Sequence, residues 1–243
     1  QSGNVSMGPN ERLAVLKQNH FEYEEFEVMK VVIMGHQRLY EVMQEKDAIY
    51  MKEDFSDEDG MRAAELEGEF AELNGWEAES EAAILLKGLG ITEDLHDKKM
   101  SELTGSEKVK VLLAQALFGK PDVLLLDEPT NHLDVESTEW LQEMVSRLKG
   151  AVIFITHDRY FLDETATHIY ELADQTLYRH TGSYGDFLEA RAIREENNAA
   201  TQAKMRNRYR SELKWIRRGA KARTTKQKAR IQRFEQLDES IDR

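Results

Sequence analysis

The chain has 243 residues, of which 40% are apolar, so it is long enough and apolar enough to bury the core of a large domain. It contains no cysteine, which excludes disulfides, thiolate zinc sites, iron–sulfur clusters and cysteine nucleophiles and favours a reducing, cytoplasmic compartment. No apolar run approaches the roughly 20 residues of a membrane span, so we expect a soluble protein, and its net charge of −13 disfavours nucleic-acid binding at first sight.

That charge is divided unevenly along the chain. Residues Phe21 to Met100 contain 22 Asp or Glu against 8 Lys or Arg, a net charge of −14. Residues Lys204 to Arg233 contain 13 Lys or Arg against one Glu, a net charge of +12. Because the local field attracts phosphate more than the net charge does, an acidic body with a basic arm can still bind RNA.

The first predicted elements are a strand and a pair of helices. Residues Arg12 to Gln18 are predicted as a short strand. Apolar residues recur at helical spacing from Val28 to Met51, which predicts one or two amphipathic helices. The acidic stretch from Asp54 to Gly60 is predicted as a loop.

Three more helices are predicted before the first apolar strand run. They cover residues 61–73, 76–87 and 106–118, and Gly119-Lys120-Pro121 stops the last of them. Residues from about 21 to 118 are therefore expected to form a helical, acidic subdomain.

The following segment has the pattern of an α/β fold. The continuous apolar runs Val123–Leu126 and Ala151–Ile155 predict strands buried on both faces of a parallel sheet. A helix predicted over Val135–Leu148 joins them, so the three elements form a βαβ crossover. Residues 168–172 and 176–180 are then predicted as a hairpin.

The C-terminal part is predicted to be almost entirely helical. Residues Phe187 to Arg217 contain no proline and would span about 46 Å as one helix. Apolar residues at helical spacing recur from Ile231 to Ile241, beyond an interruption at Gly219. We therefore expect residues 183–243 to form an antiparallel helical hairpin that follows a domain of residues 1–182.

The sequence LLLDEPTNHLD, from Leu124 to Asp134, carries the strongest functional signal. It places Asp127 and Glu128 at the carboxyl edge of a parallel sheet, where open α/β folds bind ligands. One of two adjacent acids can hold Mg²⁺ while the other deprotonates an attacking water in phosphoryl transfer. Without the residues that follow them, the two acids would fit an ordinary exposed strand end equally well.

This block resembles the Walker B motif and D-loop of ATP-binding-cassette (ABC) ATPases. The resemblance implies an α/β, P-loop NTPase-like ABC ATPase core that binds ATP and Mg²⁺. It also implies that Asp127 is the carboxylate associated with Mg²⁺, that Glu128 is the catalytic base, and that Asp134 couples two ATP sites.

Three other segments occur in the order that this family has. Gln18, in VLKQNH, resembles the Q-loop glutamine that senses Mg²⁺ and water, so the resemblance makes it a candidate ligand of both ATP and the metal. His157, in FITHDRYF, resembles the switch histidine that contacts the γ-phosphate, although a histidine at a sheet end is more often only hydrogen-bonded there. The third segment resembles the signature loop, with the candidate ATP-binding residues Leu103, Thr104, Gly105, Ser106 and Glu107.

The signature-like segment opens a helix. Backbone N–H groups and the helix dipole at such a position form an anion site that suits a γ-phosphate presented by a second cassette. The family usually has glycine and glutamine where this chain has Ser106 and Glu107, so we expect weaker closure or a Glu107 side chain that turns away. In isolation the segment would also fit an ordinary helix cap.

One part of an ATP-binding cassette is missing from the sequence. The phosphate-binding pattern G-x-x-x-x-G-K-[ST] does not occur, and the Gly119-Lys120 pair is followed by proline. We therefore interpret the cassette as incomplete and expect the chain alone to bind ATP poorly and to be inactive as an ATPase.

The C-terminal segment favours one class of ABC protein. GSYGDFLEAR, from Gly182 to Arg191, resembles the step from the first cassette into the interdomain linker of ABC-F proteins, which act on ribosomes. The resemblance implies a second cassette in the same parent chain, no membrane subunit, and a hairpin that contacts tRNA and rRNA. The alternatives are a nucleotide-binding subunit of an ABC transporter, an antibiotic-resistance protein that protects the ribosome, and an inactive module.

The predicted tip of the hairpin is basic and contains an aromatic residue. Arginine suits bidentate phosphate contacts, lysine supplies a point charge, and tryptophan can stack on bases. A solvated charged helix is the alternative interpretation. The candidate RNA-binding residues are Trp215, Arg217, Arg218, Lys221, Arg223, Lys226 and Lys228.

Overall fold

The fold is that of a computed structural model, which describes residues 4, 6–9, 11–16 and 21–217. The chain divides into two compact units, Gln1–Thr165 and Ala166–Arg243. This division lies before the hairpin, whereas the sequence places a domain boundary after it, at residues 182–183. The hairpin is hydrogen-bonded to the long helix that follows, so the two elements belong to one compact unit.

A three-stranded sheet lies in the first unit. Its strands are β1 (Leu13–Val15), β2 (Val123–Asp127) and β3 (Ala151–Ile155), in the order β1-β2-β3, and both pairings are parallel. The helix that joins β2 to β3 covers Val135–Arg147 and is α6 in chain order. The predicted βαβ crossover and the parallel sheet are therefore confirmed.

The two faces of this sheet differ in exposure. Ala14, Leu124 and Leu126 are buried on one face, where Phe161 of the helix Arg159–Thr165 (α7) meets Phe154 with ring centroids 5.1 Å apart. On the other face, the apolar side chains of β1 and β3 are exposed by 42–65%. The expectation of strands buried on both faces is therefore wrong for β3, because helices cover only one face within the residues described. The exposed side chains are Leu13, Val15, Ile153 and Ile155.

Five helices form the subdomain that the sequence predicts to be helical. They are α1 (Val28–Ile33), α2 (Gln37–Tyr50), α3 (Asp57–Glu72), α4 (Ala78–Gly88) and α5 (Gly105–Leu117). Helix α5 is the central one, since it contacts α1, α4 and β1 and is buried around most of its circumference. It connects the helical subdomain to the sheet.

The prediction of a loop from Asp54 to Gly60 is wrong for its second half, because α3 begins at Asp57. The Ser56 hydroxyl oxygen accepts a hydrogen bond from the backbone N–H of Asp59, and the Asp59 carboxylate accepts one from the backbone N–H of Ser56. This reciprocal capping box starts the helix, and acidic residues in the first turn are favoured by the helix dipole.

Helices α2 and α3 lie antiparallel, and ion pairs connect them. Arg38 binds Glu69 with an Nε–Oε1 distance of 2.5 Å, and Arg62 binds Glu45 at 2.7 Å. Exposed pairs of this kind contribute little to stability, because water and salt screen the attraction between their charges. The larger contribution to packing comes from the apolar side chains that the two helices bury, among them Leu39, Val42, Ala63 and Leu66.

The second unit contains the predicted hairpin. Strands β4 (His168–Ala173) and β5 (Thr176–Thr181) pair antiparallel around a two-residue turn. Asp174 and Gln175 in this turn have φ angles of +49° and +59°. Positive φ at both central positions is the geometry of a type I′ turn, whose twist matches that of the flanking strands.

The hairpin leads into a long helix, α8, which runs from Tyr184 to Arg217. Its 34 residues correspond to about 51 Å of uninterrupted helix. Gly182 has a φ of +116°, and a Cβ atom there would lie 2.5 Å from the Asp186 carboxylate. That carboxylate accepts a hydrogen bond from the backbone N–H of Ser183 at 2.9 Å, so the sequence from Gly182 to Asp186 forms a tight helix start. The predicted outgoing helix is confirmed, whereas the predicted return helix lies outside the described residues.

Polar contacts attach the first turns of α8 to the hairpin. Arg194 donates a hydrogen bond to Glu171, and its guanidinium lies 4.0 Å from the centroid of the Tyr178 ring. Phe187 meets the His180 ring edge to face, with centroids 5.1 Å apart. The start of α8 therefore has a defined position on the hairpin.

None of the helices in the described part of the chain combines the length and hydrophobicity that crossing a membrane requires.

Gly35, in the turn between α1 and α2, allows a close approach that can be tested. A Cβ atom at this position would lie 2.0 Å from the backbone carbonyl oxygen of Gln115 in α5. We expect Gly35→Ala to lower the free energy of unfolding by about 3 kcal/mol, because helix backbone cannot move aside cheaply. Urea denaturation followed by circular dichroism measures this change.

Gly68→Ala is the control, because a Cβ atom at this exposed position in α3 meets nothing within 4 Å. We expect this variant to gain roughly 0.5–1 kcal/mol, the helix preference of alanine over glycine. A Gly35→Ala variant as stable as the unsubstituted chain would contradict the close packing of this turn against α5.

Candidate functional site

Two acidic residues lie where the central strand of the sheet ends. Asp127 is the last residue of β2 and lies opposite Ile155 of β3, and it is exposed. Glu128 follows, and its backbone N–H donates to the carbonyl oxygen of Ile155 over 2.8 Å. The pairing of β2 with β3 thus fixes both acids at the carboxyl edge of the sheet.

Glu128 has an unusual backbone conformation. Its φ is +48°, in the left-handed region that residues other than glycine seldom adopt. Such conformations cost of order 1–3 kcal/mol and occur preferentially at functional sites. The conformation turns the chain sharply after β2, so Glu128 does not continue the strand.

The Glu128 side chain is directed to His157, the second residue after β3. Glu128 Oε2 accepts a hydrogen bond from the backbone N–H of His157 over 3.3 Å, and Oε1 lies 3.4 Å from His157 Nε2. The Glu128 side chain is 21% exposed, whereas the His157 ring is 97% exposed. A carboxylate that is hydrogen-bonded on one side and exposed to solvent on the other can accept a proton from a water molecule.

The loop after His157 is held by its own hydrogen bonds. Asp158 Oδ1 accepts hydrogen bonds from the backbone N–H groups of Tyr160 and Phe161, each over 3.1 Å. These bonds start α7, and buried Phe161 anchors that helix below the sheet. His157 therefore has a defined position although its ring is exposed.

The oxygen-rich edge of the sheet suits a hard divalent cation. Mg²⁺ is usually bound by one or two carboxylates together with water and substrate phosphates, and Asp127 offers an exposed carboxylate of this kind. Within the described ranges, no three His, Asp or Glu side chains are grouped as a preformed metal cage. The second predicted metal ligand, Gln18, lies outside the residues described.

The predicted signature segment opens α5, as expected. Thr104 is the N-cap, and its hydroxyl oxygen accepts from the backbone N–H of Glu107 over 3.4 Å. Glu107 Oε2 accepts from the backbone N–H and the hydroxyl of Thr104, each over 2.8 Å, and these bonds lower the pKa of Glu107. The Glu107 carboxylate is therefore turned back onto the start of its own helix.

The other residues of this segment differ in exposure. Leu103 is 6% exposed within the hydrophobic core, so its side chain anchors the loop and does not face a ligand. Gly105 is exposed, and a Cβ atom there would meet nothing within 4 Å. The exposed Ser106 donates its hydroxyl proton to the carbonyl oxygen of His132 over 3.3 Å. The segment thus has an open side at Gly105 and an attached side at Ser106.

Asp134 is the N-cap of α6 and joins two helices. Its Oδ1 accepts from the backbone N–H of Ser137 over 2.8 Å, and its Oδ2 accepts from Lys110 Nζ over 3.1 Å. The hydrogen bonds from the Ser137 backbone and side chain and from Lys110 hold the pKa of Asp134 at about 2. Asp134 is therefore ionised throughout the physiological pH range.

The described candidate residues fall into two groups. Glu128 and His157 meet at the sheet edge beside Asp127, whereas the segment 104–107 and Asp134 are connected through α5 and the loop before α6. Of the candidate RNA-binding residues, Trp215 and Arg217 belong to the last turn of α8. The remaining ones lie outside the described residues: Arg218, Lys221, Arg223, Lys226 and Lys228.

The sequence interpretation overlooked two lysines of α5. Lys108 and Lys110 are each 9% exposed, and each has an acidic partner far away in the sequence, Glu24 and Asp134 respectively. Their signal in the sequence is the interruption of an apolar helix by Lys-Val-Lys. Charged residues at positions where a helix is buried require a partner, but the sequence does not identify it.

Comparison with protein families gives two matches. A family profile described as "ABC transporter" matches residues 6–131, which is about half of the chain and includes β1, the five helices of the helical subdomain and β2. A second profile, also described as "ABC transporter" and named as an extension of the first, matches residues 170–243.

Several bacterial proteins are similar to this chain. The uncharacterized ABC transporter ATP-binding protein YkpA of Bacillus subtilis is 72% identical over 190 residues, which is 78% of this chain and 35% of that protein. The probable ATP-binding protein YbiT of Escherichia coli O157:H7 is 45% identical over 202 residues, 83% of this chain and 38% of that protein. The energy-dependent translational throttle protein EttA of Escherichia coli K12 is 45% identical over 142 residues, 58% of this chain and 26% of that protein. The chain thus spans about a third of the length of these relatives.

Proposed function

Because the chain belongs to the ABC transporter ATP-binding family, with relatives consistent with the ABC-F group, we propose that it is the catalytic part of an ATPase that acts on the ribosome. The observation that carries the ATPase proposal is the contact of Glu128 with His157 at the carboxyl edge of the sheet, 3.4 Å between Oε1 and Nε2. The same proposal locates the protein in the cytoplasm, with the ribosomes.

In the proposed reaction, water attacks the γ-phosphorus of ATP and the bond to the bridging oxygen of ADP breaks. Glu128 accepts a proton from the attacking water, and its left-handed backbone takes it out of the line of β2, with its carboxylate beside His157. His157 holds the carboxylate through its backbone N–H and offers its exposed ring to the γ-phosphate. Asp127 and Gln18 would hold Mg²⁺, which neutralises charge on the phosphate oxygens when bound.

The signature segment has a different role in this proposal. Thr104, Gly105, Ser106 and Glu107 would face the γ-phosphate bound by a second cassette of the same parent chain, with Leu103 as their anchor. Support comes from the exposed backbone at Gly105, which leaves room for a phosphate at the start of α5. Asp134 would connect this segment to the other ATP site.

The phosphate-binding loop would have to come from a segment that is not in this sequence. The apolar face of the sheet formed by Leu13, Val15, Ile153 and Ile155 is exposed beside Asp127. Covering four such side chains removes a large apolar area from water, which favours binding of a further structural segment there. We propose that the segment with the phosphate-binding loop packs on this face.

Titration calorimetry of this chain with Mg-ATP tests the proposed incompleteness. We expect a Kd above about 1 mM, because the described residues contain no phosphate-binding loop whose backbone N–H groups could hold the triphosphate. The full-length protein is the control and should bind ATP tightly. Micromolar binding by the chain alone would contradict this part of the proposal.

Glu128→Gln in the full-length protein tests the catalytic role. Glutamine keeps the shape of the side chain but does not accept a proton, so we expect kcat to fall by about 10²–10⁴-fold with ATP affinity retained. Phosphate release measures turnover. Glu136→Gln makes the same chemical change at an exposed position of α6 and should leave turnover unchanged. Normal turnover in Glu128→Gln would refute the assignment.

The proposed target is the ribosome, through contacts of the basic linker with tRNA and rRNA. The support is the similarity to EttA, which is named as a translational throttle, and the charge of +12 between Lys204 and Arg233. Helix α8 is about 51 Å long, and its C-terminal half contains the first basic residues of that stretch. Contacts of Glu171 and Tyr178 with Arg194 hold the start of α8 on the hairpin, so the proposed RNA-binding end is attached to a defined base.

Replacement of four basic linker residues in the full-length protein tests this target. We expect weaker co-sedimentation with ribosomes, and a log–log salt dependence whose slope decreases by roughly 0.7–0.9 for each phosphate that the linker no longer neutralises. The replaced residues are Arg217, Arg218, Lys221 and Arg223.

The matched control removes the same charge from the helical subdomain, by replacing Lys30, Arg38, Lys52 and Arg62 with alanine. These side chains are ion-paired to acidic neighbours, so we expect ribosome binding to persist. Equal binding by the linker variant and the unsubstituted protein would favour a solvated charged helix, and co-purification with a membrane subunit would favour the transporter alternative.

A further inference from the structure

Helix α5 buries two lysines that it could not bury as unpaired charges. Lys108 and Lys110 are each 9% exposed, and removing an ammonium group from water is costly unless a partner compensates. Lys108 Nζ lies 3.2 Å from Glu24 Oε1, and Lys110 Nζ lies 3.1 Å from Asp134 Oδ2. Residues two apart lie on different sides of a helix, so the two lysines bind different parts of the unit.

Lys110 lies in a confined position beside the start of α6. Gly90 has a φ of +76°, and a Cβ atom at this residue would lie 3.3 Å from Lys110 Nζ and from the Ser137 hydroxyl oxygen. The bare glycine backbone therefore leaves the space that the ammonium group fills. With its other oxygen bound to the Ser137 N–H at 2.8 Å, the Asp134 carboxylate joins α5 to α6.

A second contact joins the same two segments one helical turn earlier. The Ser106 hydroxyl donates to the carbonyl oxygen of His132 over 3.3 Å. Residues 106 and 110 are four apart and lie on one face of α5, and residues 132 and 134 belong to one loop. The start of α5 and the loop before α6 are therefore connected by two hydrogen bonds, both from the same face of α5.

We propose that Lys110 is a positioning residue for ATP hydrolysis, which holds the Asp134 carboxylate in a fixed place relative to the segment 104–107. Both segments would then meet the opposite cassette as one rigid surface, and a change at one ATP site would reach the other directly. This inference rests on the proposed function, because it concerns the same ATP sites. It assigns Lys110 no contact with ATP, so its action is through Asp134.

Three substitutions in the full-length protein separate positioning from stability. Lys110→Met keeps the chain length but removes the charge, and we expect kcat to fall about 10- to 100-fold while KM for ATP stays the same. Lys110→Arg restores a positive charge that can bind Asp134, so kcat should return. Lys108→Met removes the other buried lysine of α5, and we expect it to leave kcat unchanged, since Glu24 belongs to neither ATP-binding group.

A direct readout follows the carboxyl group of Asp134 by NMR titration of the same variants. Lys110→Met should raise the pKa of Asp134 toward its ordinary value, because the variant removes a hydrogen bond to the ionised form, whereas Lys110→Arg and Lys108→Met should leave it low. Merely weakened folding would not produce this pattern, since both methionine variants remove the ion pair of a buried lysine.

The outcomes distinguish the two proposals. If the unsubstituted protein hydrolyses ATP and Lys110→Met keeps its kcat, or if both methionine variants reduce kcat equally, the positioning role is overturned and the proposed function stands. If the unsubstituted protein does not hydrolyse ATP, the proposed function fails, and the positioning role fails with it. A fall in kcat confined to Lys110→Met, with rescue by arginine and a raised pKa of Asp134, supports the inference.

Discussion

The pairing of β2 with β3 is the constraint on which the candidate site depends. Its register sets Asp127 opposite Ile155, and one further hydrogen bond, from Glu128 N–H to the Ile155 carbonyl, carries the pairing past the end of β2. Because side chains alternate between the two faces of a sheet, a slip of one residue would move Asp127 to the buried face. The same slip would separate Glu128 from His157, which follows β3 closely. The chemistry at the sheet edge is thus a consequence of strand register.

Several candidate ligand residues also cap the N-terminal ends of helices. Thr104 and Glu107 cap α5 reciprocally, and Asp134 caps α6. An anion at the start of α5 would compete with the Glu107 carboxylate for the Thr104 N–H, and the value of such a cap, about 0.5–2 kcal/mol, sets the scale of that competition. The Glu107 carboxylate can therefore hold the segment in place and still be displaced by an anion that binds there more tightly. The Asp134 carboxylate is held more firmly, because both of its oxygens accept hydrogen bonds.

The sequence predicted the elements well where periodicity and turn residues act locally. The strands β2 and β3, the helix between them, the hairpin and the outgoing helix all follow from local patterns. The stretch Asp54 to Gly60 misled because its acidic composition suggested a loop, whereas Ser56 and Asp59 form a cap. The pairing of Lys110 with Asp134 could not be predicted, since residues 24 apart in sequence carry no spacing rule. Glu128 and His157 were predicted as candidates from a resemblance, and their contact depends on the fold.

The two charged parts of the chain differ in how far their charge reaches solvent. In the acidic subdomain, Glu45, Glu69 and Asp59 are each ion-paired to a basic side chain of the same subdomain, so these three of its 22 acidic groups are balanced locally and the net charge of −14 belongs to the acidic groups in excess. Along α8, by contrast, the basic side chains from Lys204 to Arg210 are exposed on a narrow rod. At an ionic strength of 0.15 M, charges more than about 8 Å apart are largely screened from one another. A phosphate near α8 therefore responds to the local positive charge, and the net charge of −13 does not decide what this protein binds.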